Sequence, residues 1–182
     1  MKSDIGYIIK YIFEYDSCVP ISVVFEVCVV VVGGIALLYP TKTSNHDFIR
    51  NASWCLLSGY VFLVLCATVL FRHDTGEIHY SFRPLWSYTT LYFKYGAGAI
   101  LNILMFIPIG FLVGVSLRRS NVIMILGIGF LLSMTIELAQ LFSRRGVCNI
   151  DDVIHNTLGC VLGYGIAMLC KMIGQKFYTI RK

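Results

Sequence analysis

Acidic, basic and amide side chains are concentrated in and between two apolar stretches near the C-terminal end of the chain. A charged side chain at the centre of a membrane helix costs about 3 kcal/mol, and less near the interface. Several such groups at one level therefore pair with one another or line a wetted cavity that binds a polar group. The residues that we predict to form this polar cluster, as a ligand-binding site, are Asn102, Glu137, Gln140, Arg144, Arg145, Asp151, Asp152 and Asn156.

Helical spacing brings these side chains onto common faces. Glu137, Gln140 and Arg144 stand at positions i, i+3 and i+7, which share one face of a helix. In the next stretch Asp152 and Asn156 share a face in the same way. Because a short loop joins the two helices, we expect antiparallel neighbours whose polar faces meet at one end of a bundle.

Small residues on the same faces predict close helix contacts. Glycine lets a neighbouring backbone approach, as in the small-xxx-small pattern of membrane helix pairs. Asn102 begins the preceding apolar stretch on the same side of the bundle, so we expect it to join the polar cluster. The residues predicted to serve helix packing are Pro108, Gly110, Gly159 and Gly163.

Three kinds of chemistry are compatible with the polar cluster. Arg144 or Arg145 paired with Asp152 or Glu137 would make a structural lock. Arginines that are not paired with these acids would instead bind a phosphate or carboxylate of a ligand. The acids would then accept hydrogen bonds from its sugar or amide groups. The acids could also hold a divalent ion or act as acid and base, as Asp151 could with His155 at i+4. The residues name no cofactor, and no metal site is assigned.

The elements that must position this polar cluster are membrane helices. Of 182 residues, 57% are hydrophobic and 14% are charged, against roughly 25% charged in soluble domains. We predict an all-α polytopic bundle in which residues 1–182 form a single membrane domain, with an N-terminal amphipathic helix over Ile5–Tyr15. Five spans are expected, at approximately 21–39, 54–71, 98–117, 122–142 and 150–173.

Charge is less informative about orientation and partners. The formal net charge is +5, with the basic residues confined to loops and ends, which suits anionic headgroups. No basic run is interleaved with aromatics, so nucleic acid is not expected as a partner. The distribution of basic residues slightly favours a cytoplasmic C-terminus, and nothing in the sequence indicates an oligomeric state.

The motifs around the polar cluster resemble the VanZ-like family. The stretches NILMFIPIGF at 102–111 and SMTIELAQLFSRRGVCNIDDVIHNTLGCVLGY at 133–164 carry its Asn before F-x-P-x-G, its I-E-x-x-Q helix end and its D-D-x-x-x-N-x-x-G-x-x-x-G pattern. FRPLWSY at 82–88 is similar to the family's loop before these helices. The resemblance covers roughly residues 80–170. Asn149 stands where an Asp is common, and His155 occupies a usually apolar position.

This resemblance implies a multi-pass bacterial cell-membrane protein of the envelope, of the type associated with resistance to the glycopeptide teicoplanin. Combined with the polar cluster, it predicts a protein that binds a lipid headgroup, a lipid-linked cell-wall precursor or a glycopeptide. One alternative is a membrane enzyme that acts on a lipid-linked substrate, with or without a divalent metal, and whether the protein is catalytic stays open. A second alternative is a small transporter, against which no repeated halves are visible.

Overall fold

In the computed structural model, residues 45–70, 77–82, 84 and 93–180 are described. These parts of the chain form long helices and a pair of short strands. In chain order the elements are α1 (Asn45–Leu65) with a π-helical continuation (Cys66–Leu70), β1 (His79–Ser81), α2 (Phe93–Ser116), α3 (Val122–Ser143), β2 (Val147–Asn149) and α4 (Ile150–Ile180).

The prediction of an all-α transmembrane bundle is confirmed. Within the described ranges, 4 helices are long and apolar enough to cross a membrane. They are Asp47–Leu70, Gly98–Ser116, Val122–Ser143 and Ile150–Lys176. The bundle thus shows four spans in this part of the chain where five were predicted for the whole, because the predicted span 21–39 and amphipathic helix lie outside the described residues.

Helix α1 begins earlier than the predicted span, within a polar stretch. Asp47 lies in its first turn, where a negative charge is favoured by the helix dipole. Its carboxylate is 2.7 Å from the guanidinium of Arg50 and 3.2 Å from that of Arg118. The contact with Arg118 holds the start of α1 beside the turn between α2 and α3.

Helices α2 and α4 form the closest pair and run in the same direction. A Cβ placed on Gly159 would strike the carbonyl oxygen of Ile103, and one on Gly163 would strike that of Ile107. The contacts advance together along both helices, which makes the pair parallel. Helix α4 therefore starts at the same end of the bundle as α2.

The two other predicted packing residues lie in α2. A Cβ on Gly110 would strike the backbone of Cys160 in α4, so this helix pair is close on both of its sides. Pro108 is buried inside α2. Its ring lacks the N–H that would bond the carbonyl one turn earlier in the helix.

Helices α1 and α3 run opposite to this pair. The Tyr60 hydroxyl donates to the carbonyl of Met105 at 2.9 Å, which joins α1 to the middle of α2. Helix α3 packs on α4, where Gly129 approaches Thr157. Helices α2 and α3 touch each other only sparsely, because both pack on α4.

The apolar core is centred on α2. It is built from side chains of all four helices: Leu57, Tyr60, Val64, Phe106, Ile109, Phe111, Leu112, Val113, Ile125, Ile136, Cys160, Tyr164 and Ala167. By contrast, Phe62, Leu131 and Leu169 are more than half exposed. In a membrane protein such residues face acyl chains, so their exposure fits the spans.

The end of the bundle at which α2 and α4 begin also holds a small sheet, which the sequence did not predict. Strands β1 and β2 pair in parallel, with Tyr80 opposite Cys148 and Ser81 opposite Asn149. This pairing places β1, which precedes α2 in the chain, beside β2, which joins α3 to α4. Residues 79–81 are thereby fixed beside the predicted polar cluster.

Polar side chains also hold the opposite end of the bundle together. The Tyr164 hydroxyl donates to the Ser120 carbonyl at 2.9 Å. Lys171 donates from Nζ to the Gly114 carbonyl at 2.8 Å, one of the last carbonyls of α2 that lack a partner inside the helix. Asn121 caps the start of α3 by accepting from the Met124 amide at 2.8 Å.

Candidate functional site at the α3–α4 junction

Two of the predicted site residues lie on the buried face of α3 near its end. Glu137 and Gln140 are 2% and 3% exposed, one turn apart on the same helix. Helix α3 ends at Ser143, one residue before Arg144. The common face therefore holds Glu137 and Gln140 as predicted, but the expected continuation to Arg144 at i+7 is wrong.

Arg144 leaves that face because it adopts the left-handed conformation that ends the helix. Its φ is 58° and its ψ is 26°, and its amide bonds the carbonyls of Gln140 and Leu141. Glycine usually fills this position, since other L-residues are strained there by about 1–2 kcal/mol. The nearby Gly146 also has a positive φ, of 131°. The side chain of Arg144 is exposed beyond the helix end.

The first turn of α4 is capped by Asn149, a residue that the sequence analysis noted only as a departure from the family pattern. Its Oδ1 accepts from the Asp151 amide at 3.1 Å, and its Nδ2 donates to Asp152 Oδ1 at 3.3 Å. Its own amide donates to Glu137 Oε2 at 2.8 Å. An Asn followed three residues later by an acid is a recognisable helix start.

Asn149 thus joins α3 to α4. Asp151 and Asp152, in the first turn, also suit the positive end of the helix dipole. These two acids and Glu137 support the junction itself.

Deeper in the bundle, Asn156 bonds Ser133, which is not among the predicted site residues. The Asn156 Nδ2 donates to Ser133 Oγ at 2.8 Å, and both side chains are buried. Ser133 stands one turn before Glu137 on the same face, so its spacing could have identified it. The predicted meeting of the polar faces of α3 and α4 is seen in this bond and in the one between Asn149 and Glu137.

Two other predicted residues reach across to α1. Gln140 donates from Nε2 to the Thr68 carbonyl at 3.0 Å, and Arg145 donates from Nη1 to the Leu70 carbonyl at 2.7 Å. Both carbonyls belong to the π-helical end of α1, where the last carbonyls lack helical partners. Within the described ranges, Arg145 forms no ion pair with Asp152 or Glu137. The arginine–acid lock considered for this residue is therefore absent from the described part of the chain.

Buried oxygen atoms of the cluster remain without hydrogen-bond donors. Among the residues that the structure describes, Gln140 Oε1 and Asn156 Oδ1 have no partner. Such an atom carries a desolvation penalty of about 1–3 kcal/mol. If the junction served only to hold the helices together, these two unpaired oxygens would reduce its stability.

The remaining predicted residue, Asn102, is half-buried on α2. Because Ile103 contacts Gly159, Asn102 lies at the level where α4 carries Asn156. The structure thus brings it to the same end of the bundle, on a third helix.

Acid–base and metal chemistry find less support. Asp151 and His155 are both buried, at 1% and 3% exposure, one turn apart on α4. No group of three or more His, Cys, Asp or Glu residues is placed to hold a metal ion in the described part of the chain. The alternative in which Glu137, Asp151 and Asp152 hold a divalent ion therefore finds no support among the described residues.

The junction is also unfavourable for a nearby thiolate. Burial raises the pKa of the Cys148 thiol, and the carboxylates of Glu137 and Asp152 raise it further. The thiol is 5% exposed on β2. Cys148 therefore stays protonated and poorly nucleophilic at neutral pH.

Comparison with known proteins identifies the family. The family model described as VanZ/LLP1 matches residues 23–171, which extends well upstream of the predicted 80–170. No curated protein and no solved structure matches the chain. Since the match covers most of the chain, with three of the described spans whole and most of the fourth, this membrane protein belongs to the VanZ/LLP1 family.

Proposed function

We propose that the protein is a non-catalytic binding protein of the bacterial cell membrane whose polar cluster takes the polar group of a membrane-embedded ligand. The ligand is a lipid headgroup or a lipid-linked cell-wall precursor. The observation that carries this proposal is the pair of buried amide oxygens, on Gln140 and Asn156, that have no donor among the described residues. In an apolar surrounding, a ligand that donates to them recovers their desolvation penalty.

The surroundings of these oxygens suit a ligand that enters from the membrane plane. Sparse contact between α2 and α3 leaves α4 as the helix that joins them. Asn102, on α2, and Asn156, on α4, lie at the same level, with Ser133 of α3 bonded to Asn156. A polar group that enters between α2 and α3 would have Asn102 on the α2 side, Ser133 on the α3 side and Asn156 on α4.

At the bundle end, arginines supply the complementary charge. Arg144 is exposed, and Arg145 is half-buried with one of its five N–H donors used by Leu70. Guanidinium groups bind phosphate and carboxylate strongly, often through two parallel bonds. A ligand with an anionic group at the surface and donors further inside would match both parts of the site.

Contribution to teicoplanin resistance forms part of the same proposal, as a consequence of binding a cell-wall precursor that the glycopeptide would otherwise reach. The family supports this reading. The carboxylates of Glu137 and Asp152 already accept bonds from Asn149, which favours binding over hydrolysis. A transporter would need a continuous polar path, whereas core residues such as Phe111 and Ala167 are completely buried beyond Asn156.

Lipid retention tests the proposal. Purified protein would be stripped of lipid, incubated with a total extract of bacterial membrane lipids that includes precursors, and its bound lipids quantified by mass spectrometry. We expect one headgroup class to be enriched on the wild type and lost on Asn156→Leu. Thr135→Val is the matched control, since Thr135 is exposed on α3 and bonds only its own helix at Leu131.

Equal, unselective lipid profiles for all three proteins would contradict headgroup binding. Teicoplanin susceptibility, measured in cells that express the same three proteins, tests the resistance arm. We expect reduced susceptibility with the wild type and with Thr135→Val but not with Asn156→Leu. Identical susceptibility of cells with the wild type and cells with an empty vector would contradict a contribution to teicoplanin resistance.

A further inference from the structure

The amide of Gln140 has a fixed orientation, and this determines what its oxygen can bind. Its Nε2 donates to the Thr68 carbonyl at 3.0 Å. A carbonyl can only accept, so the nitrogen must face Thr68 and the oxygen must remain an acceptor. That oxygen is fully buried and has no donor among the described residues. It requires an N–H or O–H group.

Three features around this oxygen favour a positive charge on the donor. The C-terminal end of α1 ends here in its π-helical turn, and a helix C-terminus carries partial negative charge. The buried carboxylate of Glu137 lies one turn before Gln140 on α3. The buried carboxylate of Asp151 lies at the same end of the bundle, in the first turn of α4. A positively charged donor gains more from these negative groups than a neutral hydroxyl does.

An anion-binding group contacts the same end of α1 as the Gln140 amide. Arg145 donates to the Leu70 carbonyl, two residues after Thr68, so the guanidinium and the Gln140 amide contact the same helical turn. Carbonyls two residues apart on a helix are separated by about 5 Å. A cationic donor and an anionic group that are two methylenes apart match the spacing of the two carbonyls to which Gln140 and Arg145 are anchored.

We propose that Gln140 and Arg145 form a subsite for a primary ammonium and its neighbouring phosphate on one lipid headgroup, the ammonium donating to Gln140 Oε1 and the phosphate accepting from Arg145. This inference rests on the proposed function and names the headgroup chemistry of its outer part. The phosphoethanolamine headgroup has this chemistry. Phosphatidylcholine keeps the charges but has no N–H, and phosphatidylglycerol keeps a donor but has no cation.

Affinities for these three lipids, with identical acyl chains, test the subsite. The full chain in detergent would be titrated with each lipid and the bound fraction measured by native mass spectrometry. A hydrogen bond to a charged group contributes about 1.5–3 kcal/mol, so we expect phosphatidylethanolamine to bind at least about tenfold more tightly than either other lipid. Equal binding of phosphatidylcholine or of phosphatidylglycerol would overturn the ammonium assignment while leaving headgroup binding intact. Absence of binding by all three would instead count against the proposed function.

Two variants at position 140 give opposite expectations. Gln140→Lys keeps a donor for the Thr68 carbonyl but replaces the acceptor with a like charge, so the preference for phosphatidylethanolamine should disappear. Gln140→Glu keeps the acceptor and adds negative charge, so the preference should be kept or increased. Phosphatidylcholine binding, unchanged in both variants, would show that they fold. A preference lost in both variants would overturn the subsite, because Gln140→Glu loses the donor to the Thr68 carbonyl but retains the acceptor for the ammonium.

Discussion

The side chains of Asn156 and Ser133 meet at 2.8 Å inside the bundle, and this contact joins α4 to α3 below the membrane surface. The nitrogen of the Asn156 amide is satisfied there, whereas its oxygen has no partner among the described residues. The same pattern recurs at Gln140, whose nitrogen is bonded to α1. Both amides are anchored through their nitrogens and keep their oxygens available.

Asn156→Leu should leave the free energy of unfolding unchanged or increase it by about 1 kcal/mol. A side-chain hydrogen bond between membrane helices contributes about 0.6 kcal/mol, while a buried acceptor without a donor costs about 1–3 kcal/mol. The substitution removes both the hydrogen bond and the unpaired acceptor at nearly constant side-chain volume. Because the acceptor costs more than the bond contributes, the folded state is favoured. Denaturant unfolding in mixed micelles measures this.

A purely structural role for Asn156 predicts the opposite sign. Destabilisation by more than about 2 kcal/mol would show that the whole amide is satisfied in the folded protein. Ser133→Ala provides the comparison, because it removes the partner and leaves the Asn156 nitrogen without an acceptor. It should be destabilising.

Gly163→Ala should destabilise the bundle by about 1–3 kcal/mol, the range for overpacking. A Cβ there would strike backbone atoms of Ile107 and Phe111, so α2 and α4 would have to separate. Gly165→Ala is a matched control on the same helix, because nothing lies within 4 Å of its added Cβ. The control should be neutral or stabilising by up to about 1 kcal/mol. Equal thermal shifts in the two variants would contradict the close contact.

Arg144→Gly should stabilise the protein by about 1 kcal/mol, because glycine adopts the left-handed conformation without strain. The φ of 58° at this position is the basis of the prediction. Thermal unfolding of the variant measures the gain. Arg144→Ala, which also removes the charge but keeps a Cβ, separates the backbone effect from the loss of the guanidinium. A gain that is as large for alanine as for glycine would exclude backbone strain as its cause.

Alkylation of Cys148 should be slow at neutral pH and should increase only at a pH above the ordinary thiol range. Burial first, and then Glu137 and Asp152, raise the pKa of this thiol. Since an unfolded cysteine loses its proton at lower pH than the folded one, this group reduces stability as pH rises through the unfolded pKa. Peptide mapping after maleimide treatment measures the rate. The control is a cysteine placed by Arg144→Cys at the exposed end of α3, and comparable rates at the two positions at pH 7 would contradict the raised pKa.

The sequence predicts the helices of this protein well because lipid imposes a simple rule. Four uninterrupted apolar stretches had to become spans, and the last three begin within a residue of their predicted starts. The glycine pattern also indicated which helix faces meet, since Gly159 and Gly163 lie against α2. It did not indicate that α2 and α4 run parallel as the closest pair.

The details of the site depend on local backbone conformation, which the spacing of apolar and polar residues does not predict. The i+7 spacing assigns Arg144 to the face of Glu137 only if the helix continues past Ser143, and the left-handed conformation of Arg144 ends it there. Helical spacing does not single out Asn149, because a helix cap belongs to neither apolar stretch. The β1–β2 pairing joins segments far apart in sequence, and three-residue strands give no recognisable alternation.

An experimental map of the protein in nanodiscs of bacterial lipid tests the central claim most directly. We predict headgroup density at hydrogen-bonding distance, about 2.7–3.2 Å, from the Gln140 or Asn156 side-chain oxygen, with α2 and α3 separated enough to admit it. A ligand-free junction in which protein donors satisfy both oxygens would contradict the account.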